Sequence, residues 1–367
     1  MKINSIKLEN YRNIRQMTAD FDNINIIWGE NAQGKTNLLE GIYLFTGEKS
    51  FRGARDSEVI MLGQDYAKLE IDFSAGNRQQ NAQLTIKNRT TATLNGIKKK
   101  SASSLGEEIK AVIFSPTHLS MIKGGPEERR DFVDRALCQL GGNYNTLLRD
   151  YAKAVKQRNT LIKKLDGDIN VPAPVREYIN IWNENVARLG AKIVYQRQRY
   201  LEAIAPYITD IYSGISGGSE EIGLRYFSKA EYTSDMTIPE IEKIILERME
   251  QRLVADIVNH TTTVGPHRDD ITVTINGNDV RTYASQGQQR SCVLALKLAE
   301  ASLLNERTGS NPIVLLDDVM SELDEKRQDY ILNHIRDWQI FVTCCDKETI
   351  LRLKQGKTFH ISNGEII

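Results

Sequence analysis

One octapeptide limits what this chain can fold into more than any other stretch: Gly29-Glu30-Asn31-Ala32-Gln33-Gly34-Lys35-Thr36. It matches G-x-x-x-x-G-K-[ST] in full. It follows the strand-like run Asn23-Ile24-Asn25-Ile26-Ile27-Trp28 and opens a helix-like run in which Leu38, Leu39, Ile42 and Tyr43 recur at helical spacing. Glycines at these positions let backbone amides curl around phosphate oxygens, and the helix N-terminus adds partial positive charge. In such a loop Lys35 reaches the β- and γ-phosphates and the Thr36 hydroxyl ligates Mg²⁺. A plain glycine turn between strand and helix would need no Lys-Thr pair. Gly29, Glu30, Asn31, Ala32, Gln33, Gly34, Lys35, Thr36 and Asn37 therefore form the candidate ATP site.

A second nucleotide element lies about 280 residues downstream. Pro312-Ile313-Val314-Leu315-Leu316-Asp317-Asp318 is an apolar run ending in two carboxylates, a pattern suited to a central parallel strand buried on both faces. Aspartates at the end of such a strand are costly without a cation. Asp317 reads as the magnesium carboxylate, and Asp318 sits where a water-activating acid is needed. Tyr283-Ala284-Ser285-Gln286-Gly287-Gln288 leads into a further helix. Its Ser285, Gly287 and Gln288 offer a hydroxyl, a backbone amide and a helix dipole to a phosphate, although alone the turn serves equally as a helix cap.

The spacing predicts an α/β protein whose ATPase core is split by a helical insertion. Residues 1–124 form the first part of the core, 125–258 the insertion and 259–367 the second part. Asn95-Gly96 and Asn276-Gly277 each predict a tight hairpin. Prolines and glycines interrupt the heptads of the insertion, which argues against a long coiled-coil arm.

Composition removes other classes. With 48 basic and 48 acidic residues the net charge is zero, so any nucleic-acid surface must be a local patch. No run approaches the roughly 18 apolar residues of a membrane-spanning helix, and no secretory signal is visible at Met1-Lys2-Ile3-Asn4-Ser5. Cys138, Cys292, Cys344 and Cys345 form no C-x-x-C pair. They read as buried small side chains in a reducing cytoplasm. The best basic run is Arg149, Lys153, Lys156, Arg158, Lys163 and Lys164, a set that suits phosphate contact or a solvated helix face equally. Lys98-Lys99-Lys100 is a second candidate.

Taken together, the Ser285 turn, Ser321-Glu322-Leu323-Asp324 and the closing Phe359–Ile366 run resemble the signature motif, D-loop and final strands of ABC-type ATPases. A narrower resemblance is carried by Tyr11-Arg12-Asn13, Asn31–Glu40, Phe114-Ser115-Pro116, Lys123–Pro126 with Arg129-Arg130, Phe132-Val133-Asp134, and Gly265-Pro266-His267-Arg268-Asp269-Asp270. In order and spacing, from end to end, these resemble the RecF family. The resemblance implies a bacterial recombinational-repair ATPase. It would bind double-stranded and gapped DNA, sandwich two ATPs in a head-to-tail dimer, and work with RecR and RecO to load RecA. Arg12 and Asn13 would then lie by the nucleotide, unless they only shape a strand-end turn. Asp318 stands where many ABC ATPases carry Glu, and Val342-Thr343-Cys344-Cys345-Asp346 offers no switch histidine. Slow turnover, with ATP as a conformational switch, is the expectation. The competing reading, the energising subunit of a membrane transporter, uses the same dimer chemistry but leaves the RecF-like motifs unused.

Overall fold

The computed structural model describes residues 1–76, 78–141, 143–320, 323–335, 337–345 and 356–367. In chain order, strands β1 (Lys2–Tyr11), β2 (Ile14–Asp20) and β3 (Ile24–Trp28) precede helix α1 (Lys35–Tyr43). Strands β4 (Ala67–Ala75), β5 (Arg78–Ile86), β6 (Thr91–Leu94), β7 (Ile97–Lys98) and β8 (Ala111–Phe114) follow. Next come α2 (Ser120–Lys123), α3 (Pro126–Leu140), α4 (Tyr144–Lys164), α5 (Ala173–Ser216), β9 (Ile222–Phe227), α6 (Ile238–Gln251) and α7 (Leu253–Val258). Then follow β10 (Asp270–Ile275), β11 (Asn278–Asp279), α8 (Val280–Tyr283), α9 (Gln286–Thr308), β12 (Ile313–Asp317), α10 (Glu325–His334), β13 (Ile340–Cys344), β14 (Lys357–Ser362) and β15 (Glu365–Ile366).

The chain divides into two units. The first comprises Met1–Leu119, Asp210–Glu220 and Arg290–Ile367, and the second Ser120–Thr209 and Glu221–Gln289. In the first unit a sheet of order β15-β14-β3-β13-β12-β8 is parallel except for its edge strand β15. All residues of β8, β12 and β13 are buried, as expected of apolar runs covered on both faces. The parallel register sets Asp317 opposite Thr343 and Cys344 opposite Trp28. The C-terminal ends of β3, β13 and β12 therefore lie side by side, where ligands bind in open α/β sheets.

A second sheet, of order β2-β1-β4-β5-β6-β7, covers this one. Along β4 the residues Ala67, Leu69, Ile71 and Phe73 alternate inward and share a core with Leu38, Leu39 and Ile42 of α1 and with Ile313, Leu315 and Phe341 of the parallel sheet. Both expected hairpins form. Asn95 (φ 51°) and Gly96 (φ 78°) join β6 to β7, and Asn276 (φ 49°) and Gly277 (φ 79°) join β10 to β11. Positive φ at both central residues is the type I′ requirement that Asn-Gly meets at least cost.

The second unit departs from the sequence expectation in extent and content. The boundary at 258 falls inside it, because β10, assigned by sequence to the ATPase core, pairs antiparallel with β9 from Asp270↔Phe227 to Ile275↔Ile222. Strand β9 escapes sequence reading because only Ile222 of its six residues is buried, so it lacks the alternation that signals a strand. Residues 238–258 form α6 and α7, broken at Arg252, and α5 runs through Pro206 to Ser216, its residues from Asp210 onward belonging to the first unit.

Candidate nucleotide-binding site

The octapeptide forms the tight loop between β3 and α1. Gly29 has φ 154° and Gly34 φ 117°, and a Cβ on Gly29 would collide with the Ile361 carbonyl oxygen of β14. A Cβ on Gly34 would come within 3.0 Å of Asn13 Oδ1. Both positions thus need glycine for conformation and for space. Ala32, with φ 63°, is a side-chain-bearing residue held in the left-handed region. The loop is braced from outside. Gln33 accepts from the Asn363 amide at 2.6 Å through its side chain, and its carbonyl accepts from Gly364 at 2.9 Å and from Asn13 Nδ2 at 3.1 Å. Asn37 donates to Asn13 Oδ1 at 2.8 Å and accepts from Arg52 at 2.9 Å.

Lys35 is buried, and its Nζ donates to the carbonyls of Gly29 (2.7 Å) and Glu30 (2.8 Å) and to Cys345 Sγ (3.2 Å). Cys345 Sγ in turn donates to Asn31 Oδ1 at 3.0 Å. Cys345 is therefore not the buried filler expected from sequence. It is exposed and sits on the phosphate loop, whereas its neighbour Cys344 is buried. An apolar run signals a strand but does not say where it stops: β13 ends at the buried Cys344, and Cys345 is the first residue beyond it.

Thr36 Oγ1 donates to Asp317 Oδ1 at 2.8 Å, and Thr343 Oγ1 donates to the same oxygen at 2.9 Å. Burial pushes the Asp317 carboxyl above the ordinary range; the two hydroxyl donors oppose that rise, and the neighbouring Asp318 charge adds to it. Asp317 thus has hydroxyl partners and, among the described residues, no ion pair. A desolvated carboxylate beside a threonine hydroxyl is a fitting donor set for Mg²⁺, which takes one or two protein ligands and completes its shell with phosphate oxygens and water. Asp318 is half-buried with φ 53°, and its amide donates to Thr343 Oγ1 at 2.9 Å. Thr343 thereby links both aspartates, a role that sequence reading does not assign to it.

Arg12 has its partners on α1 and in the segment before β4. Its Nε and Nη2 donate to Glu40 Oε2 (2.8 Å) and Oε1 (2.7 Å), and Nη1 donates to the Glu58 carbonyl (3.0 Å). The buried Glu40 also accepts from Tyr11 and Ser50. Those donors hold its carboxyl below the ordinary value despite the opposing effect of burial, which is the largest single influence. Arg12 therefore fixes β1 to α1, whereas Asn13 is the residue that touches the loop.

Ser285 belongs to the second unit and caps α9 reciprocally: its amide donates to Gln288 Oε1 (2.8 Å) and its Oγ accepts from the Gln288 amide (3.3 Å). Its side chain is exposed, and Gly287 and Gln288 are half-buried. Of the expected D-loop, Ser321 and Glu322 lie outside the described residues, as does Asp346. Asp324 caps α10 by accepting from the Arg327 amide.

Arg149, Lys153, Lys156, Lys163 and Lys164 are all exposed on α4. Arg158, in the same run, is fully buried. It donates to Asp256 Oδ2 (2.7 Å), Asn183 Oδ1 (2.6 Å) and Thr262 Oγ1 (2.8 Å). Helical periodicity turns it inward while its neighbours face out. The Gly265–Asp270 motif braces the same unit: Asp270 receives Arg129 through Nε (2.7 Å) and Nη2 (2.9 Å), and Asp269 receives Tyr226 and Ser228. His267 pairs with Tyr151 (2.7 Å) and the Thr262 carbonyl (3.1 Å), and burial lowers its pKa to about 4.

A phosphate loop after β3 of a parallel sheet, with a buried aspartate at the end of β12, one strand removed across β13, is the arrangement of an ABC-type ATPase fold. The chain belongs to the RecF family: the family model for the RecF/RecN/SMC N-terminal domain matches residues 2–365. It is 37% identical to the DNA replication and repair protein RecF of Agathobacter rectalis, with 100% of this chain and 99% of the relative covered. A solved structure of the recombination mediator protein RecF-ATP in the RecFOR pathway matches with a TM-score of 0.91 at 34% identity, over 100% of this chain and 97% of the other. The Smc head domain of Pyrococcus furiosus, at 16% identity and a TM-score of 0.54 over 100% of this chain and 96% of that one, shares the fold. Among the described residues no helix is long and apolar enough to cross a membrane.

Proposed function

We propose that this chain is an ATP-gated DNA clamp of recombinational repair in the bacterial cytoplasm, acting on double-stranded and gapped DNA with RecR and RecO in the loading of RecA. Lys35 and the loop amides bind the ATP phosphates, and Thr36 and Asp317 hold Mg²⁺. The bound ion supplies charge neutralisation for phosphoryl transfer. The carrying observation is the contact of Thr36 with Asp317 next to the buried ammonium of Lys35.

The exposed Ser285 at the start of α9 completes the site of a second copy, so that ATP joins two protomers head to tail. Two DNA-binding surfaces held together raise affinity through effective concentration, and hydrolysis releases them. Asp318 is the base that orients water. Its carboxylate is one methylene shorter than a glutamate, and a base misplaced by about 1 Å loses on the order of 10²-fold in rate. Turnover is accordingly slow, below the enzyme median of about 10 s⁻¹.

Fluorescence anisotropy of a labelled duplex tests the reading, with no nucleotide, ADP–Mg²⁺ or ATP–Mg²⁺ at fixed salt. Tight binding with ATP alone, lost in Ser285→Arg, is the expected result. Affinity indifferent to nucleotide would contradict it.

A further inference from the structure

The second unit contains a recess of about 740 Å³ whose lining includes Lys229, Arg248, Arg252 and Arg268. Three segments build it: the turn after β9, the C-terminal end of α6, and residues 259–269. All four cations are exposed. Among the described residues none of them takes part in an ion pair, and the Arg268 guanidinium is held only by neutral oxygens, the Thr262 carbonyl and Thr261 Oγ1, each at 3.1 Å. The single carboxylate in the lining, Asp269, is buried beneath the hydroxyls of Tyr226 and Ser228.

Four like charges around one concavity repel one another unless an anion is shared among them. In a chain of zero net charge such a local excess stands out. The remaining lining adds polar side chains in Ser228, Asn259, Thr261 and Thr263, and no aromatic ring on which a base could stack.

A second recess of about 420 Å³ lies on α4 and is lined by Lys156 and Lys163 together with His267. His267 and Arg268 are consecutive, so the Gly265–Asp270 turn contributes to both recesses. Of the five lysines and arginines proposed from sequence, Lys156 and Lys163 line this recess; Arg149, Lys153 and Lys164 line neither. Positive charge on both sides of one turn matches a repeating anion rather than a single phosphate.

We propose that the phosphodiester backbone of duplex DNA docks across this turn, with Arg248, Arg252 and Arg268 in one recess and Lys156 and Lys163 in the other. The assignment rests on the DNA-binding function proposed above and identifies the surface that performs it. It predicts salt-dependent, nearly sequence-independent contact.

The test compares wild type, Arg248→Ala/Arg252→Ala and Arg248→Lys/Arg252→Lys for binding to a labelled duplex with ATP–Mg²⁺ over a salt series. Far-UV circular dichroism and melting verify the fold of each. The alanine pair is expected to bind at least ten-fold more weakly. It should also lower the slope of log K against log salt by about 1.8, at about 0.9 for each phosphate no longer neutralised. The lysine pair, which keeps the charge, should retain the wild-type slope. If wild type binds but the alanine pair keeps its affinity and slope, the recess is not the DNA surface, and an acidic protein segment becomes its partner. If wild type itself fails to bind, the proposed function fails.

Discussion

Thr36 and Asp317, 281 residues apart in sequence, meet in a 2.8 Å hydrogen bond. The relationship exists because β12 lies beside β13, and β13 beside β3, all in parallel, so the phosphate loop and the aspartate emerge from the same end of the sheet. The second unit interrupts the sequence between them without interrupting that sheet.

Asp317→Asn keeps an acceptor for both threonine hydroxyls and removes the buried charge. Because the folded-state carboxyl pKa is raised, this group favours folding at low pH, and that contribution is lost as pH rises through its folded value. At pH 7 the variant should therefore melt at a higher temperature than wild type, with the difference narrowing at lower pH. Its ATP turnover should collapse. A lower melting temperature at pH 7 would contradict the assignment of Asp317 as a destabilising, function-bearing charge.

Gly29→Ala places a Cβ against Ile361 and forces a non-glycine residue to φ 154°. A loss of about 1–3 kcal/mol is expected in denaturant unfolding. Nucleotide binding, read by a fluorescent ATP analogue, should fall with it. Stability within error of wild type would mean that the loop relaxes readily.

Arg158→Met leaves Asp256, itself fully buried, without its cation. Breaking such a pair costs about 3–5 kcal/mol. Urea unfolding should show that loss, and Arg158→Met/Asp256→Leu should recover part of it. Equal stability of the single variant and wild type would overturn the reading of Arg158 as an internal strut.

Cys345 is the exposed thiol touching Lys35 and Asn31. Iodoacetamide should modify Cys345 ahead of the buried Cys292 and Cys344, as read by peptide mass, and lower nucleotide affinity at least ten-fold. ATP–Mg²⁺ should protect it, and Cys345→Thr should be insensitive. Modification of Cys345 with undiminished nucleotide binding would show that the thiol stands clear of the phosphates.

Local chemistry made the candidate nucleotide site legible in sequence. Glycine spacing, the Lys-Thr pair and a strand ending in aspartates each carry a physical requirement that few other folds impose. Long-range geometry was less legible. Arg12 lies in a motif near the loop, yet its bidentate partner Glu40 is chosen by the packing of β1 on α1. Strand β9 exposes or half-exposes five of its six residues, so no periodic signal marks it, and without it the pairing that carries β10 into the second unit cannot be foreseen. A basic run on a helix likewise mixes faces: the fully buried Arg158 and the exposed Lys156 differ by two positions, a turn of about 200° at 3.6 residues per turn.

The most direct measurement is sedimentation of the full chain with ADP–Mg²⁺ and with ATP–Mg²⁺, for wild type and for Ser285→Arg. ATP should convert wild type from monomer to dimer and ADP should not, while Ser285→Arg should bind ATP yet remain monomeric. Equal ATP-driven dimerisation of both proteins would contradict the shared site, and with it the ATP-gated clamp.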